Sequence, residues 1–219
     1  MVDGSQVTVV LPCLDEALPL PGVLAAMPER YVALVVDNNS TDGTAEVARR
    51  CGARVVTETQ PGYGAAVHAG VVAATTPLVA VIDGDGSLDP RDLPMLVEAV
   101  EAGADMAIGR RRPLPGVGWP WHARLGTAAV CWRLRQRHGL SVHDIAPMRV
   151  ARRDAMLALD VVDRRSGYPL ELLVKAGAAN WKVVEFDVPY GVRTGGKSKV
   201  SGSLRGSITA SYDFLKTIS

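Results

Sequence analysis

The first half of the chain alternates short apolar runs with stretches of helical character. Gln6–Leu11 (QVTVVL) is a β-branched run stopped by Pro12, Val32–Val36 (VALVV) ends at Asp37, and Leu78–Ile82 (LVAVI) ends at Asp83. Shorter runs lie at Arg54–Thr57 and Asp105–Ile108. Runs this short that are apolar at nearly every position suit strands buried on both faces. Helices are predicted between them at Leu20–Met27, Thr44–Cys51, Ala65–Ala74 and Pro90–Ala102. Asp89 ahead of Pro90 has the form of an N-cap followed by proline at the first helical position, and Thr41-Asp42-Gly43 supplies cap-type residues before the second helix. The alternation predicts an α/β fold with a mainly parallel sheet flanked by helices.

Beyond residue 109 the pattern loosens. An edge strand is predicted at Ile145–Val150, helices around Arg153–Leu159 and Pro169–Ala176, and a strand at Lys182–Val188. A Gly-, Lys- and Ser-rich loop, Arg193–Gly202, then precedes a terminal helix. No repeat or low-complexity linker divides the 219 residues, so a single domain is expected.

Composition narrows the class. Hydrophobic residues make up 47% and charged residues 21%, which excludes a disordered chain. A formal charge of +1 argues against a dedicated nucleic-acid binder. The three cysteines, Cys13, Cys51 and Cys131, are far apart and lack CxxC spacing, so they read as reduced thiols with no zinc site. No apolar run approaches the ~20 residues that span a bilayer, and the N-terminus lacks a basic flank. A cytoplasmic protein is expected, attached at most to the inner face of a membrane.

Three strands run straight into acids: Asp15-Glu16 after the first, Asp37 and Asp42 after the second, Asp83 and Asp85 after the fourth. Ligands of open parallel sheets sit at the carboxyl ends of strands, so these groups are expected along one rim, repelling one another unless a cation or donor-rich ligand lies among them. Capping is the plainer role for any one of them alone. Asp83-Gly84-Asp85 can present oxygens to Mg²⁺ or Mn²⁺, ions that leave open positions for a diphosphate. Gly62-Tyr63-Gly64 with Gly70 is spaced GxGxxxxxG, which disfavours a dinucleotide fold, and no P-loop sequence is present.

Val10–Glu16 (VLPCLDE) resembles the VxPxxNE opening of family 2 glycosyltransferases of the GT-A type, and Asp37–Thr44 (DNNSTDGT) resembles their DDxSxDGT segment. Gly62–Gly70 is similar to their glycine-rich helix start, Asp83-Gly84-Asp85 to their DxD and Gly109-Arg110 to their GxR. Asp144–Arg149 (DIAPMR), Gly167-Tyr168 with Glu171, and Arg193–Lys199 (RTGGKSK) resemble segments of the dolichol-phosphate mannosyltransferase branch. Asp15, Leu14, Asn38 and Ser87 depart from the usual Asn, Tyr, Asp and longer polar residue.

The resemblance implies a GT-A domain that binds a UDP- or GDP-sugar through residues 1–109 and its acceptor through 110–219. Pro12, Leu14, Glu16, Asp37, Asn39, Gly64, Asp83 and Arg110 would hold the nucleotide sugar, and Asp83 and Asp85 the metal, Mg²⁺ or Mn²⁺. Transfer builds negative charge on the departing diphosphate, which the metal and cations closing from the opposite side stabilise. Arg193, Lys197 and Lys199 suit that second role, although a solvated basic turn has the same composition. Asp144 is the candidate general base for a hydroxyl acceptor. With an already anionic phosphate acceptor it would orient a neighbour such as Arg149, and a simple Asp–Arg pair is the third reading. Glu171 is expected to support the site from behind.

Residues 110–143 hold seven arginines, Trp119, Trp121 and Trp132, and no Asp or Glu. Such a surface suits a polyprenyl phosphate at an anionic membrane, as well as a plain solvated face; the terminal helix repeats the amphipathic pattern with Leu204, Ile208, Tyr212 and Leu215. The expectation is an inverting, metal-dependent glycosyltransferase acting on a polyprenyl phosphate. The alternatives are transfer to a soluble hydroxyl acceptor and a non-catalytic nucleotide-sugar-binding subunit.

Overall fold

The computed structural model describes residues 7–118 and 121–194. The expected terminal helix, Lys197, Lys199 and Trp119 lie outside the described residues.

The chain runs β1 (Val7–Cys13), α1 (Leu20–Ala25), β2 (Val32–Asp37), α2 (Thr44–Arg50), β3 (Arg54–Thr57), α3 (Tyr63–Ala73) and β4 (Leu78–Val81). It continues through a 3₁₀ turn at Pro90–Asp92 into α4 (Leu93–Glu101), then β5 (Met106–Pro113), α5 (Trp121–His138), β6 (Met148–Arg152), α6 (Arg153–Ala158), α7 (Tyr168–Ala178) and β7 (Val183–Tyr190). Asp89 caps the 3₁₀ turn as expected, accepting from Arg91 N. One seven-stranded sheet has the order β3-β2-β1-β4-β6-β5-β7. Only β6 runs antiparallel to its neighbours, so the other six strands end on one rim.

Alternate residues of each strand enter two separate cores, as pleating requires. Val10, Val36, Val81 and Ile108 pack under α3, α5, α6 and α7, whereas Val9, Leu11, Val35 and Val150 pack under α1, α2 and α4. Burial on both faces is why the strands read as unbroken apolar runs.

Two expectations need correcting. The strand predicted at the sheet edge is β6, and it lies inside the sheet between β4 and β5. Arg149 within it is buried, and Arg152 falls at the strand's exposed end. β5 also continues past Ile108 to Pro113, because it pairs with β7 along its whole length, and Arg110, Arg111 and Arg112 interrupt the apolar pattern without ending the strand.

Arg153, the first residue of α6, ties the halves of the chain together. Its Nε donates to Val71 O at 3.1 Å and its Nη2 to Val72 O at 2.9 Å, capping the C-terminal carbonyls of α3. Arg153→Met, which keeps the aliphatic stem, is expected to lower the unfolding free energy by about 1–3 kcal/mol, the range for hydrogen bonds from a charged donor. Urea denaturation measures it; an unchanged midpoint would remove the cap from the list of stabilising contacts.

Candidate functional site

Strands β2, β1 and β4 are adjacent, and each ends in an acid-bearing turn on the same rim. Cys13, at the end of β1, is buried among them. Its thiol is pushed well above its ordinary pKa by burial first, then by the charges of Glu16, Asp83, Asp37 and Asp85. The carboxylates expected to converge therefore do so.

The DNNSTDGT turn locks the turn after β1. Ser40 Oγ accepts from Asp15 N at 3.0 Å, Thr44 Oγ1 from Glu16 N at 2.9 Å, Asp42 Oδ2 from Ala17 N at 2.9 Å, and Asp15 Oδ1 from Thr41 N at 2.8 Å. Burial alone would raise the Asp42 pKa, but hydrogen bonds from Thr44 and the Ala17 amide outweigh it and hold the carboxyl below its ordinary value. Asn38 donates through Nδ2 to Glu58 O and Gln60 O, both at 2.8 Å, and accepts from Gly62 N at 2.9 Å. An aspartate has no N–H for those carbonyls, which accounts for the departure at this position. Asn39, with φ of 67°, turns its amide onto Thr59 O at 3.2 Å, so its place is that of a turn residue. Pro12, Leu14 and Glu16 are half-buried at the same strand end, and Asp37 is buried with no hydrogen-bond partner for Oδ1 among the described residues.

Gly84 lies against β1: a Cβ there would come 2.5 Å from Cys13 Sγ. Asp83 and Asp85 flank it. Asp83 has a pKa raised to about 6, by burial first and Asp85 next, with Arg193, Arg111 and Arg149 opposing the shift. Asp85 Oδ1 accepts from Ser87 N at 2.9 Å. Its Oδ2 lies 2.8 Å from Arg193 Nε, an ion pair without hydrogen-bond alignment. The segment after β7 is zipped onto this turn by Gly191 N donating to Ser87 O (2.8 Å) and Thr194 N to Asp85 O (3.1 Å).

These residues fit a hard divalent ion. Asp83 Oδ1 is buried without a hydrogen-bond partner among the described residues, and Asp85 Oδ2 already faces a cation. No set of three or more His, Cys, Asp or Glu gathers as a metal cage among the described residues. An ion held by Asp83 and Asp85 would take its remaining ligands from water and substrate oxygens, the usual habit of Mg²⁺.

Gly64 departs from the expectation of donor binding. Its N–H donates to Arg165 O at 3.0 Å, Ala65 N donates to Arg164 O at 2.8 Å, and a Cβ on Gly64 would come 2.7 Å from Asp163 O. Chain carbonyls thus cap the start of α3, and glycine is required there by close packing. Glu171 supports that loop by accepting from Val162 N at 3.0 Å and Asp163 N at 2.7 Å.

On the other side of the rim, strand alternation separates two arginines. Arg110 reaches Asp187 at 3.9 Å. Arg111 projects to the opposite face and meets Asp144, which is only 1% exposed. Arg111 Nε donates to Asp144 Oδ2 at 2.8 Å, Nη2 to Oδ1 at 2.7 Å, and the Arg111 backbone N to Oδ2 at 3.1 Å. The guanidinium also lies 5.5 Å over the Tyr190 ring. Burial would raise the Asp144 pKa, but the hydrogen bonds and charge of Arg111 prevail and hold it below the ordinary range. A carboxylate so held is a poor proton acceptor, and its partner is Arg111, not Arg149. In the sequence Arg111 is only one of the seven arginines of 110–143; the two-residue alternation along β5 is the signal that sets it apart.

Arg149 is 3% exposed and donates through Nη2 to Ala146 O and Ile145 O, while its Nε has no hydrogen-bond partner among the described residues. Tyr63 is nearby: burial first, then Asp83, pushes its pKa well above the ordinary value, with Arg149 opposing. Arg111, Arg149 and Arg193 all act on Asp83.

The model of the family described as "Glycosyl transferase family 2" matches residues 8–157. An uncharacterised glycosyltransferase of Mycobacterium tuberculosis is 70% identical over 216 residues, covering 99% of each chain. The polyprenol monophosphomannose synthase of Mycolicibacterium smegmatis is 33% identical over 216 residues, 89% of this chain and 81% of that one. The crystal structure of glucosyl-3-phosphoglycerate synthase from M. tuberculosis with Mn²⁺, UDP-glucose and phosphoglyceric acid superposes with a TM-score of 0.76 at 22% identity, covering 97% of this chain and 79% of that one.

Two outcomes are expected from this geometry. A lowered Asp144 pKa adds stability above the ordinary aspartate value of ~3.9, and that stability is lost as pH falls through the lower folded value. The melting-temperature gap between the native protein and Asp144→Asn should therefore be widest near neutrality and close on acidification; a gap constant with pH would contradict it. Arg193→Ala should bind Mn²⁺ alone several-fold more tightly than the native chain by electron paramagnetic resonance titration, about 1 kcal/mol for one ion pair. Unchanged affinity would mean that Arg193 does not share the cation position.

Proposed function

The chain belongs to glycosyl transferase family 2, and on that footing we propose that it moves a sugar from a UDP- or GDP-linked donor onto a polyprenyl phosphate, with inversion and with Mg²⁺ or Mn²⁺. The observation that carries this reading is the group of arginines, Arg111, Arg149 and Arg193, set around Asp83 on a rim whose other wall is carboxylate. Such a site accommodates a metal-bound diphosphate on one side and a second anion on the other.

Pro12, Leu14, Glu16 and Asp37 hold the nucleoside at the ends of β1 and β2, and Asp83 and Asp85 hold the ion. Bound there, a divalent ion supplies Lewis-acid neutralisation of the departing diphosphate. Arg193, the ion-pair partner of Asp85, adds positive charge beside the diphosphate. Arg111, fixed by Asp144 and Tyr190, receives the acceptor phosphate. An anionic phosphate oxygen needs no general base, which agrees with the depressed Asp144 carboxylate and disfavours a hydroxyl acceptor activated by that residue.

The surface supports a lipid acceptor. Helix α5 exposes Arg124, Leu125, Trp132, Arg135 and Arg137 with no acid between them. Among the described residues, four of the large exposed apolar side chains, Leu18, Leu114, Val162 and Val192, lie in loops at the catalytic rim. Exposed apolar and cationic groups together suit peripheral attachment to an anionic membrane. No described helix is long and apolar enough to cross one. A relative named for polyprenol monophosphomannose synthesis points the same way.

Purified protein incubated with Mn²⁺, undecaprenyl phosphate in detergent, and UDP-glucose or GDP-mannose is expected to place labelled sugar in the organic phase. Asp85→Ala should lower that yield by about 10²-fold or more, the scale seen on removing one charge-stabilising group. Transfer only to water-soluble acceptors would replace the lipid reading with a soluble one. Full activity of the variant would remove the metal from the mechanism.

A further inference from the structure

We propose that Glu185, on the edge strand β7, is a positioning residue for Arg111 and, through it, for the acceptor phosphate; the proposal rests on the reading of Arg111 just given. Glu185 stands opposite Ile108 in the β5–β7 register, three residues short of Arg111 along β5. Its carboxylate accepts three hydrogen bonds from a single dipeptide. Oε1 takes His143 N at 2.8 Å and Asp144 N at 3.2 Å, and Oε2 takes His143 Nδ1 at 2.7 Å.

Asp144 is therefore gripped at both ends. Glu185 fixes its main chain, and both side-chain oxygens clamp the Arg111 guanidinium. A bidentate pair fixes direction as well as distance when its carboxylate is anchored: the Arg111 N–H on Oδ2 holds the Asp144 carboxylate, and the Asp144 N–H on Glu185 holds the main chain that carries it. β7 also presents the Tyr190 ring beneath the same guanidinium. Two side chains of one edge strand thus set the aim of an arginine carried by the next strand. Neither belongs to a segment that marks the site in sequence, and Asp187, between them, is occupied by Arg112 at 2.8 Å.

The experiment compares binding to phosphatidylcholine vesicles with and without a few per cent of undecaprenyl phosphate, by cosedimentation. Mn²⁺ with UDP or GDP in a thermal-shift assay reports the donor side. Glu185→Ala and Arg111→Gln are each expected to weaken the undecaprenyl-phosphate-dependent binding by about tenfold, the loss of a charge-assisted contact, and the double variant to be no weaker than Arg111→Gln alone. Glu185→Gln keeps an acceptor oxygen for the two backbone N–H groups and should bind within about twofold of native, the residual left by one altered hydrogen bond. Glu185→Asp keeps the charge but is one methylene short, should lose binding, and stands in if the alanine variant does not fold. The donor-side thermal shift should be unchanged in the Glu185 variants, which leave the Arg111 charge in place.

Additive losses, an equal fall in the donor-side shift of the Glu185 variants, or native binding by both Glu185→Ala and Glu185→Asp beside a weakened Arg111→Gln would overturn the positioning role alone. Native binding by Arg111→Gln would overturn the acceptor reading beneath it, and the proposal with it.

Discussion

Asp37, Asp83 and Asp85 are carried to one rim by the adjacency of β2, β1 and β4, and the repulsion of Asp85 on the buried Asp83 is the constraint that the rest of the site answers. An aspartate with a pKa near 6 is one whose charge is tolerated only with help. That help arrives from three places in the fold: Arg111 from β5, Arg149 from β6 and Arg193 from the segment after β7. The reversed direction of β6 belongs to this answer. A parallel strand between β4 and β5 would have carried its first residues to the opposite end of the sheet. Running antiparallel, β6 starts at the rim, bringing Asp144 just before it and Arg149 at its second residue.

The three arginines are not equivalent. Arg111 is neutralised in direct contact by a buried carboxylate, so its cost of desolvation is largely offset and its direction is set. Arg193 faces Asp85 across an ion pair that lacks hydrogen-bond alignment, the looser arrangement of the two. Arg149 donates to two backbone carbonyls and forms no ion pair among the described residues. A buried cation without a contacting anion is unfavourable by several kcal/mol unless something else supplies the charge. A substrate phosphate or diphosphate at the rim would supply it. The structure therefore carries one arginine clamped by a carboxylate, one in a looser ion pair and one held by backbone carbonyls.

The donor half was legible because its chemistry is local. Strands buried on both faces announce themselves as apolar runs, and Asp37, Asp83 and Asp85 sit where those runs stop. Even the Asn38 substitution can be rationalised once the carbonyls of Glu58 and Gln60 are in view. What sequence could not show was which side of a strand a charged residue takes. Arg110 matched a family pattern, while Arg111, its neighbour on the other face, holds the site contact. Nor does Gly62-Tyr63-Gly64 declare in sequence that its glycines are needed for the backbone of residues 163–165, about a hundred positions downstream. A strand's own sequence does not say which strands flank it either, and β6, expected at the edge, lies between β4 and β5.

The two halves of the rim are also held by different means, and this bears on what each can do. On the donor side, short side chains such as Ser40, Asp42 and Thr44 bind backbone N–H groups across two turns. Little side-chain entropy is at stake there, so the turns after β1 and β2 are stiff before any ligand arrives. On the acceptor side the contacts join long charged side chains: Arg111 to Asp144, Arg112 to Asp187, His143 to Glu185. Exposed pairs such as Arg112–Asp187 contribute little by themselves. The stiffness of that half is therefore concentrated in the buried Arg111–Asp144 clamp and the Glu185 carboxylate behind it. One half of the rim is thus held by short side chains on backbone N–H groups, the other by a buried ion pair whose aim depends on the strand behind it.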